Sequence, residues 1–271
     1  MKTGIIITCY NVEQAINQEA FLSFLIRNKD YHLCFVNDGS TDATLKLITS
    51  MKEIDPEGIS IIDVQKRIGK PAAVRLAVNL LYNMRSIAYI GQMDVKLSID
   101  FNDLKRMVQI LKSEDKFMVV GARNICDNKN VAPNLLKCYL LKLKKQIIYL
   151  LLGIPFQDIH CEARVFVRNI VPIIYGDSFA SKWSYDIEIF LRLKNYIGKC
   201  QLINKICELP IRNRHTDNST KRGVFEIVEG PLTLIYISLK YNYFHTYSAA
   251  WRSYSIKYEK DSAGSKMLFA A

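Results

Sequence analysis

Short, continuously apolar runs alternate with amphipathic stretches through the first half of the chain. The runs Gly4–Thr8, Leu33–Asn37, Ile59–Val64, Ile87–Gly91 and Phe117–Gly121 predict strands. Roughly Glu13–Arg27, Asp42–Ile54, Ala72–Met84 and Asn102–Leu111 predict the helices between them. Strands without an alternating polar face are covered on both sides. The pattern therefore predicts an α/β fold, a mainly parallel central sheet with helices on both faces. Pro71 suits the first turn of the third helix. After the second strand, Asn37-Asp38-Gly39 reads as a turn, with a helix N-cap expected at Ser40 or Thr41.

Beyond Arg123 the pattern changes. Leu135–Leu152 places apolar residues at 136, 140, 143, 147 and 150, with Lys137, Lys142, Lys144 and Lys145 between them. That is an amphipathic basic helix, suited either to a membrane surface or to packing on the sheet. A strand near Ala163–Val167, a helix near Tyr185–Lys194 and a strand near Lys205–Ile211 follow. Arg212–Gly223 is polar and reads as a loop. Phe225–Tyr258 is helical in tendency and rich in Tyr, Phe and Trp interleaved with Lys240, Arg252 and Lys257. Such a segment fits the headgroup level of a membrane, a core or an oligomer contact.

The chain of 271 residues carries a formal charge of +11, which predicts an anionic partner: nucleic acid, an anionic membrane surface or a phosphorylated ligand. No nucleic-acid recognition motif accompanies the charge, so nucleic acid is not expected. The seven cysteines form no C-x-x-C pair and several lie in apolar runs, as expected of reduced, mostly buried thiols in a cytoplasmic protein. The N-terminus opens straight into a strand, and no apolar run approaches the ~18 residues of a membrane span.

Four clusters fall at predicted strand ends: Thr8-Cys9-Tyr10-Asn11, Asn37-Asp38-Gly39, Arg67-Ile68-Gly69-Lys70 and Gln92-Met93-Asp94. In a parallel sheet those ends share one edge, where open α/β sheets bind ligands. Asp38 suits hydrogen bonds from a base or ribose. Lys70 suits phosphate. Asp94 suits a hard divalent cation bridging phosphate oxygens.

These motifs, in this order, resemble the family 2 glycosyltransferases over about residues 3–230. The second half is similar to their polyprenyl-phosphate (dolichyl-phosphate-type) branch through Gly153–Pro155, Asp158–Phe166, Trp183–Glu188 and Glu208–His215. The resemblance implies a GT-A fold and an inverting transfer from a nucleotide-diphosphate sugar. It implies a domain over 1–223, with a nucleotide-binding part at about 1–123 and an acceptor part at about 124–223, then a C-terminal segment over 224–271. Thr8, Tyr10 and Asn11 would border base and ribose, with Asp38 binding either. Arg67 and Lys70 would sit near base and phosphates, with Gln92 alongside. Asp94 would carry Mg2+ or Mn2+. Asp158 would orient or deprotonate the acceptor, with Asp186 the competing candidate. Arg164, Ser219, Lys221 and Arg222 would meet the acceptor or the pyrophosphate.

The implied acceptor is a polyprenyl phosphate at the inner membrane face, reached by peripheral docking on an anionic surface. A glycan acceptor, or nucleotide-sugar binding without turnover, is the alternative, and a homo-oligomer is left open. The sequence departs from the family at three places. Gln92 stands where Asp-x-Asp has its first carboxylate, Pro71 follows the motif lysine in place of Gly, and Glu162-Ala163 replaces a small-aromatic pair.

Overall fold

The computed structural model describes residues 1–96, 100–123, 146–156, 158–159, 161–181, 184–211 and 233–241. They fall into two compact units. The first comprises the described residues up to 96 together with Val167–Val171. The second comprises the remaining described residues from 100 to 241.

In the first unit, β1 (Lys2–Cys9), β2 (Tyr31–Asp38), β3 (Ile59–Val64) and β4 (Ile87–Met93) pair in the order β3-β2-β1-β4. All three pairings are parallel, with Cys9 opposite Asn37, Asn37 opposite Asp63 and Ile7 opposite Met93. The crossovers are α1 (Gln18–Arg27), α2 (Thr44–Ile54) and α3 (Lys70–Asn83). The core is aliphatic and aromatic: Ile5, Ile6, Ile7, Phe21, Leu33, Phe35, Val36, Ile48, Val74 and Val78 are fully buried. At Gly4 a Cβ would lie 2.8 Å from a Leu81 methyl, so α3 packs directly against the β1 backbone.

The strands outrun their apolar cores because parallel pairing carries polar ends along. His32, in β2, is buried between the Glu57 carbonyl at 3.1 Å and the Ser60 hydroxyl at 2.8 Å. Burial lowers its pKa, so the ring is a neutral part of the core.

Two helix starts differ from expectation. The first helix begins at Gln18, not Glu13: residues 12–16 form a separate turn, and the Asn17 side chain caps α1 through Ala20 N–H at 3.0 Å. The second is not capped by Ser40 or Thr41. Asp42 accepts from Thr44 N–H at 3.0 Å, because Ser40 and Thr41 are taken by contacts with Asn11.

The second unit contains α4 (Phe101–Ser113), β5 (Met118–Arg123), α5 (146–152) and β6 (Arg164–Val167). Then come α6 (Val171–Tyr175), α7 (Tyr185–Ile197), α8 (Lys199–Lys205), β7 (Ile206–Ile211) and α9 (233–239). β5 pairs antiparallel with β6 and parallel with β7, so the strands are mostly parallel but mixed. Sequence patterning missed α8. Gly198, at φ 80°, ends α7 and opens the short α8 that follows. Of the basic helix expected over 135–152, residues 146–152 are helical and the rest lie outside the described residues.

α7 is buried all round from Tyr185 to Leu193 and carries a buried polar ladder. Glu188 accepts from Ala180 N–H at 2.9 Å, Ser181 N–H at 2.7 Å and the Tyr241 hydroxyl at 2.7 Å. Arg192 donates to that hydroxyl and to the carbonyls of Ile174, Asp177 and Ser178. The loop entering α7 is thus held by two charged side chains, and Tyr241 bridges them. Tyr241→Phe is expected to lower stability by about 1–3 kcal/mol, since it leaves buried charged groups short of a partner. An unchanged urea midpoint would contradict this network.

Candidate active site

The C-terminal ends of β1, β2 and β4 lie on one edge of the parallel sheet, and the loops leaving them bring most predicted residues of the first half together. The β1–α1 loop and the start of α2 clasp each other. Asn11, in a left-handed conformation (φ 48°), receives Thr41 N–H on its Oδ1 at 2.9 Å and donates its own N–H to Ser40 Oγ at 3.1 Å. Glu13 accepts from Ala43 N–H, and Asp42 from Glu13 N–H. Glu13 and Asp42 fall within motif runs of the sequence but were assigned no role from it, since their reciprocal pairing is a tertiary contact with no local signature.

Asp38 ends β2 almost fully buried, and its carboxylate organises the loop after β3. It accepts from Ile68 N–H at 2.8 Å and from Gly69 N–H at 3.0 and 3.3 Å. Gly39 makes this approach possible: its φ is +70°, and a Cβ there would sit 2.6 Å from the Arg67 backbone nitrogen. Gly39→Ala is therefore expected to destabilise by about 1–3 kcal/mol. It should also displace the Ile68–Gly69 backbone that Asp38 holds, lowering amide protection there in hydrogen exchange.

That loop holds Arg67 with its guanidinium carbon 3.9 Å from the centroid of the Tyr10 ring. Tyr10 is exposed, so the pair offers a flat aromatic and cationic surface at the sheet edge. Gly69 N-caps α3, which puts Lys70 at the first turn of that helix.

Asp94 follows β4 and is partly exposed. Its charge, with that of Asp42, adds to burial in pushing the Cys9 thiol up to about 12, so Cys9 is no nucleophile. Gln92, two residues earlier, is buried. Among the described residues no group of three or more His, Cys, Asp or Glu gathers that could hold a metal alone. A single carboxylate fits a hard cation that takes most of its ligands from a bound anion and water.

In the second unit, Arg164 is fully buried. It donates through Nη2 to the Cys161 carbonyl at 3.2 Å and to Asp186 Oδ1, forming an ion pair. Burial disfavours its charge, but the Asp186 carboxylate with the Tyr185 and Tyr175 rings outweighs that and raises its pKa. Cys161 N–H donates to the Asp158 carbonyl at 3.2 Å. Asp158, Cys161, Arg164 and Asp186 are thus linked in one chain of contacts. Glu208 accepts from Asp158 N–H at 3.4 Å. Arg164, expected at the acceptor or the pyrophosphate, exposes no surface. Ser219, Lys221 and Arg222 lie outside the described residues.

Residues 4–172 match the family model described as Glycosyl transferase family 2. The chain belongs to this family. It is 26% identical over 165 residues to a dolichyl-phosphate beta-glucosyltransferase of Dictyostelium discoideum, covering 59% of this chain and 49% of that protein. It is 25% identical over 183 residues to a dodecaprenyl-phosphate galacturonate synthase of Rhizobium johnstonii, covering 63% and 49%. The chain thus spans about half the length of these relatives. Its fold is similar to that of glucosyl-3-phosphoglycerate synthase from Mycobacterium tuberculosis, solved with Mn2+, UDP and phosphoglyceric acid. The TM-score is 0.61 and the identity 16%, over 89% of this chain and 78% of that one. The architecture is the GT-A fold.

Proposed function

We propose that this family 2 chain moves a sugar, with inversion, from a nucleotide-diphosphate sugar to a polyprenyl phosphate at the inner face of a membrane. The observation that carries the donor half is the shared strand edge, where the Tyr10–Arg67 pair, the Asp38-held loop and Asp94 meet. The family match and the relatives named for dolichyl and dodecaprenyl phosphate support the acceptor half.

Tyr10 and Arg67 stack with the base, while Thr8, Asn11 and Asp38 border base and ribose. Lys70 neutralises phosphate charge. A divalent cation, Mg2+ or Mn2+, held by Asp94 and the diphosphate, would stabilise the departing nucleoside diphosphate. An oxygen of the lipid phosphate forms the new bond to the anomeric carbon as the carbon–diphosphate bond breaks. That oxygen is already anionic and leaves no proton for a base to remove, so the part of Asp158 shrinks to shaping the acceptor site. The buried Arg164–Asp186 pair acts through the Asp158–Cys161 turn. Ser219, Lys221 and Arg222 complete the assignment near the pyrophosphate.

The test is nucleotide release from a panel of UDP-, GDP- and CMP-sugars, with Mn2+ or EDTA, with and without a short-chain polyprenyl phosphate. Metal-dependent release from one donor, raised by the lipid phosphate, is expected. Release raised only by a glycan would overturn the acceptor, and binding without release under every condition would overturn the catalysis.

A further inference from the structure

The second unit carries an apolar surface that the transfer reaction does not use. Six large side chains on three helices are exposed: Tyr149 and Leu150 on α5, Tyr196 on α7, and Ile235, Tyr236 and Leu239 on α9. Leu150 is 79% exposed and Tyr236 57%, while Leu234, Ile237 and Tyr241 form the inward side of α9. The outward side of that helix is therefore apolar and exposed.

Consecutive residues of α7 bring the three helices to one place. Lys194 donates through Nζ to the Leu151 carbonyl at the end of α5. Asn195 donates through Nδ2 to the Tyr241 carbonyl just past α9, at 2.8 Å. Lys199 lies against Gly153, where a Cβ would be 2.3 Å from its Cε.

The helices of this corner are basic. Residues 146–156, 193–205 and 233–241 contain no Asp or Glu, and they contribute Lys194, Lys199 and Lys240, while Lys205 is paired with Asp115. Partial burial and the neighbouring Lys199 ammonium lower the Lys194 pKa. Lys142, Lys144 and Lys145 directly precede α5 in sequence.

We infer that this corner, Tyr149, Leu150, Tyr196, Ile235, Tyr236 and Leu239 rimmed by lysines, is the surface by which the protein docks on an anionic lipid bilayer. Tyrosines sit at the headgroup level, leucine and isoleucine reach the acyl boundary, and the lysines pair with lipid phosphates. A second copy is a poorer occupant, because a self-complementary contact sets the same lysines against each other. The inference rests on the lipid-acceptor reading for its purpose but is measured apart from it.

The experiment is flotation of the full chain with phosphatidylcholine vesicles, with or without phosphatidylglycerol and containing no polyprenyl phosphate. Wild type is expected to float with the anionic vesicles in a salt-sensitive way. Leu150→Glu/Tyr236→Glu should reduce the bound fraction at least about tenfold. Ile54→Glu, at an equally exposed apolar site in the first unit, should not. The double variant should still turn over a short-chain, water-dispersed lipid phosphate as wild type does. Flotation unchanged in the double variant overturns the inference, as does a wild type that ignores vesicles and is converted by the variant from dimer to monomer in light scattering. If wild type floats and the variant does not, yet no polyprenyl phosphate is ever glycosylated, the docking surface stands and the acceptor reading falls.

Discussion

Replacing Asp94 with alanine is expected to lower metal-supported sugar transfer by about 10²–10³-fold while leaving the fold intact. Asp94 directly follows β4 and is partly exposed, and no group of three or more His, Cys, Asp or Glu among the described residues could hold a metal in its place. A cation held by one carboxylate and a diphosphate has no protein ligand left once that carboxylate is gone. The loss should therefore appear in turnover and in metal dependence together, with the urea midpoint close to wild type. Full turnover by Asp94→Ala would remove the metal assignment.

The companion change is Gln92→Asp. From the sequence, restoring that carboxylate is expected to raise metal affinity. The structure adds a condition, because Gln92 is 1% exposed and a carboxylate there loses its hydration. The variant should melt lower than wild type without metal and recover with Mn2+ only if position 92 reaches the ion. A melting point that Mn2+ does not move would place residue 92 outside the metal's reach.

The shared strand edge was legible because its signals are local. β-branched runs ending in Asn-Asp-Gly or Gln-Met-Asp mark strand ends, and parallel pairing sets those ends on one side whatever the loops do. Its internal wiring was not legible. The expected cap at Ser40 or Thr41 fails because Asn11, about 30 residues away, takes both groups, which no local pattern announces. Asp38 has motif spacing in the sequence, but only the fold reveals that its carboxylate holds the backbone of Ile68 and Gly69.

In the second unit, Glu188 and Arg192 stand four apart on a helix whose residues 187–193 are otherwise apolar, a readable sign of a buried polar pair. Their bridge through Tyr241 spans 49 residues and depends on the packing of α9. The aromatic C-terminal stretch resolves into two uses over its described part. Tyr241 is core, and Tyr236 is surface.

Asp186→Ala is expected to lower stability by about 3–5 kcal/mol, because it strands a fully buried guanidinium. The Arg164 side chain has no exposed surface and draws its compensation from Asp186 and the Cys161 carbonyl. Removing both partners in Arg164→Met/Asp186→Leu should cost much less than the single change, since apolar side chains of similar volume need no counter-charge. Chemical denaturation of the three chains measures this. Transfer is expected to fall in all of them, because the pair holds the Asp158–Cys161 turn through the Cys161 carbonyl. Asp186→Asn separates the two roles proposed for this residue. It keeps an acceptor oxygen for Arg164 but gives up the negative charge and any ability to take a proton. With a lipid phosphate as nucleophile, no proton needs to be taken, so Asp186→Asn should lose stability in parallel with transfer. An Asp186→Asn chain as stable as wild type yet without transfer would assign the carboxylate to the reaction itself and displace Asp158 from the acceptor role.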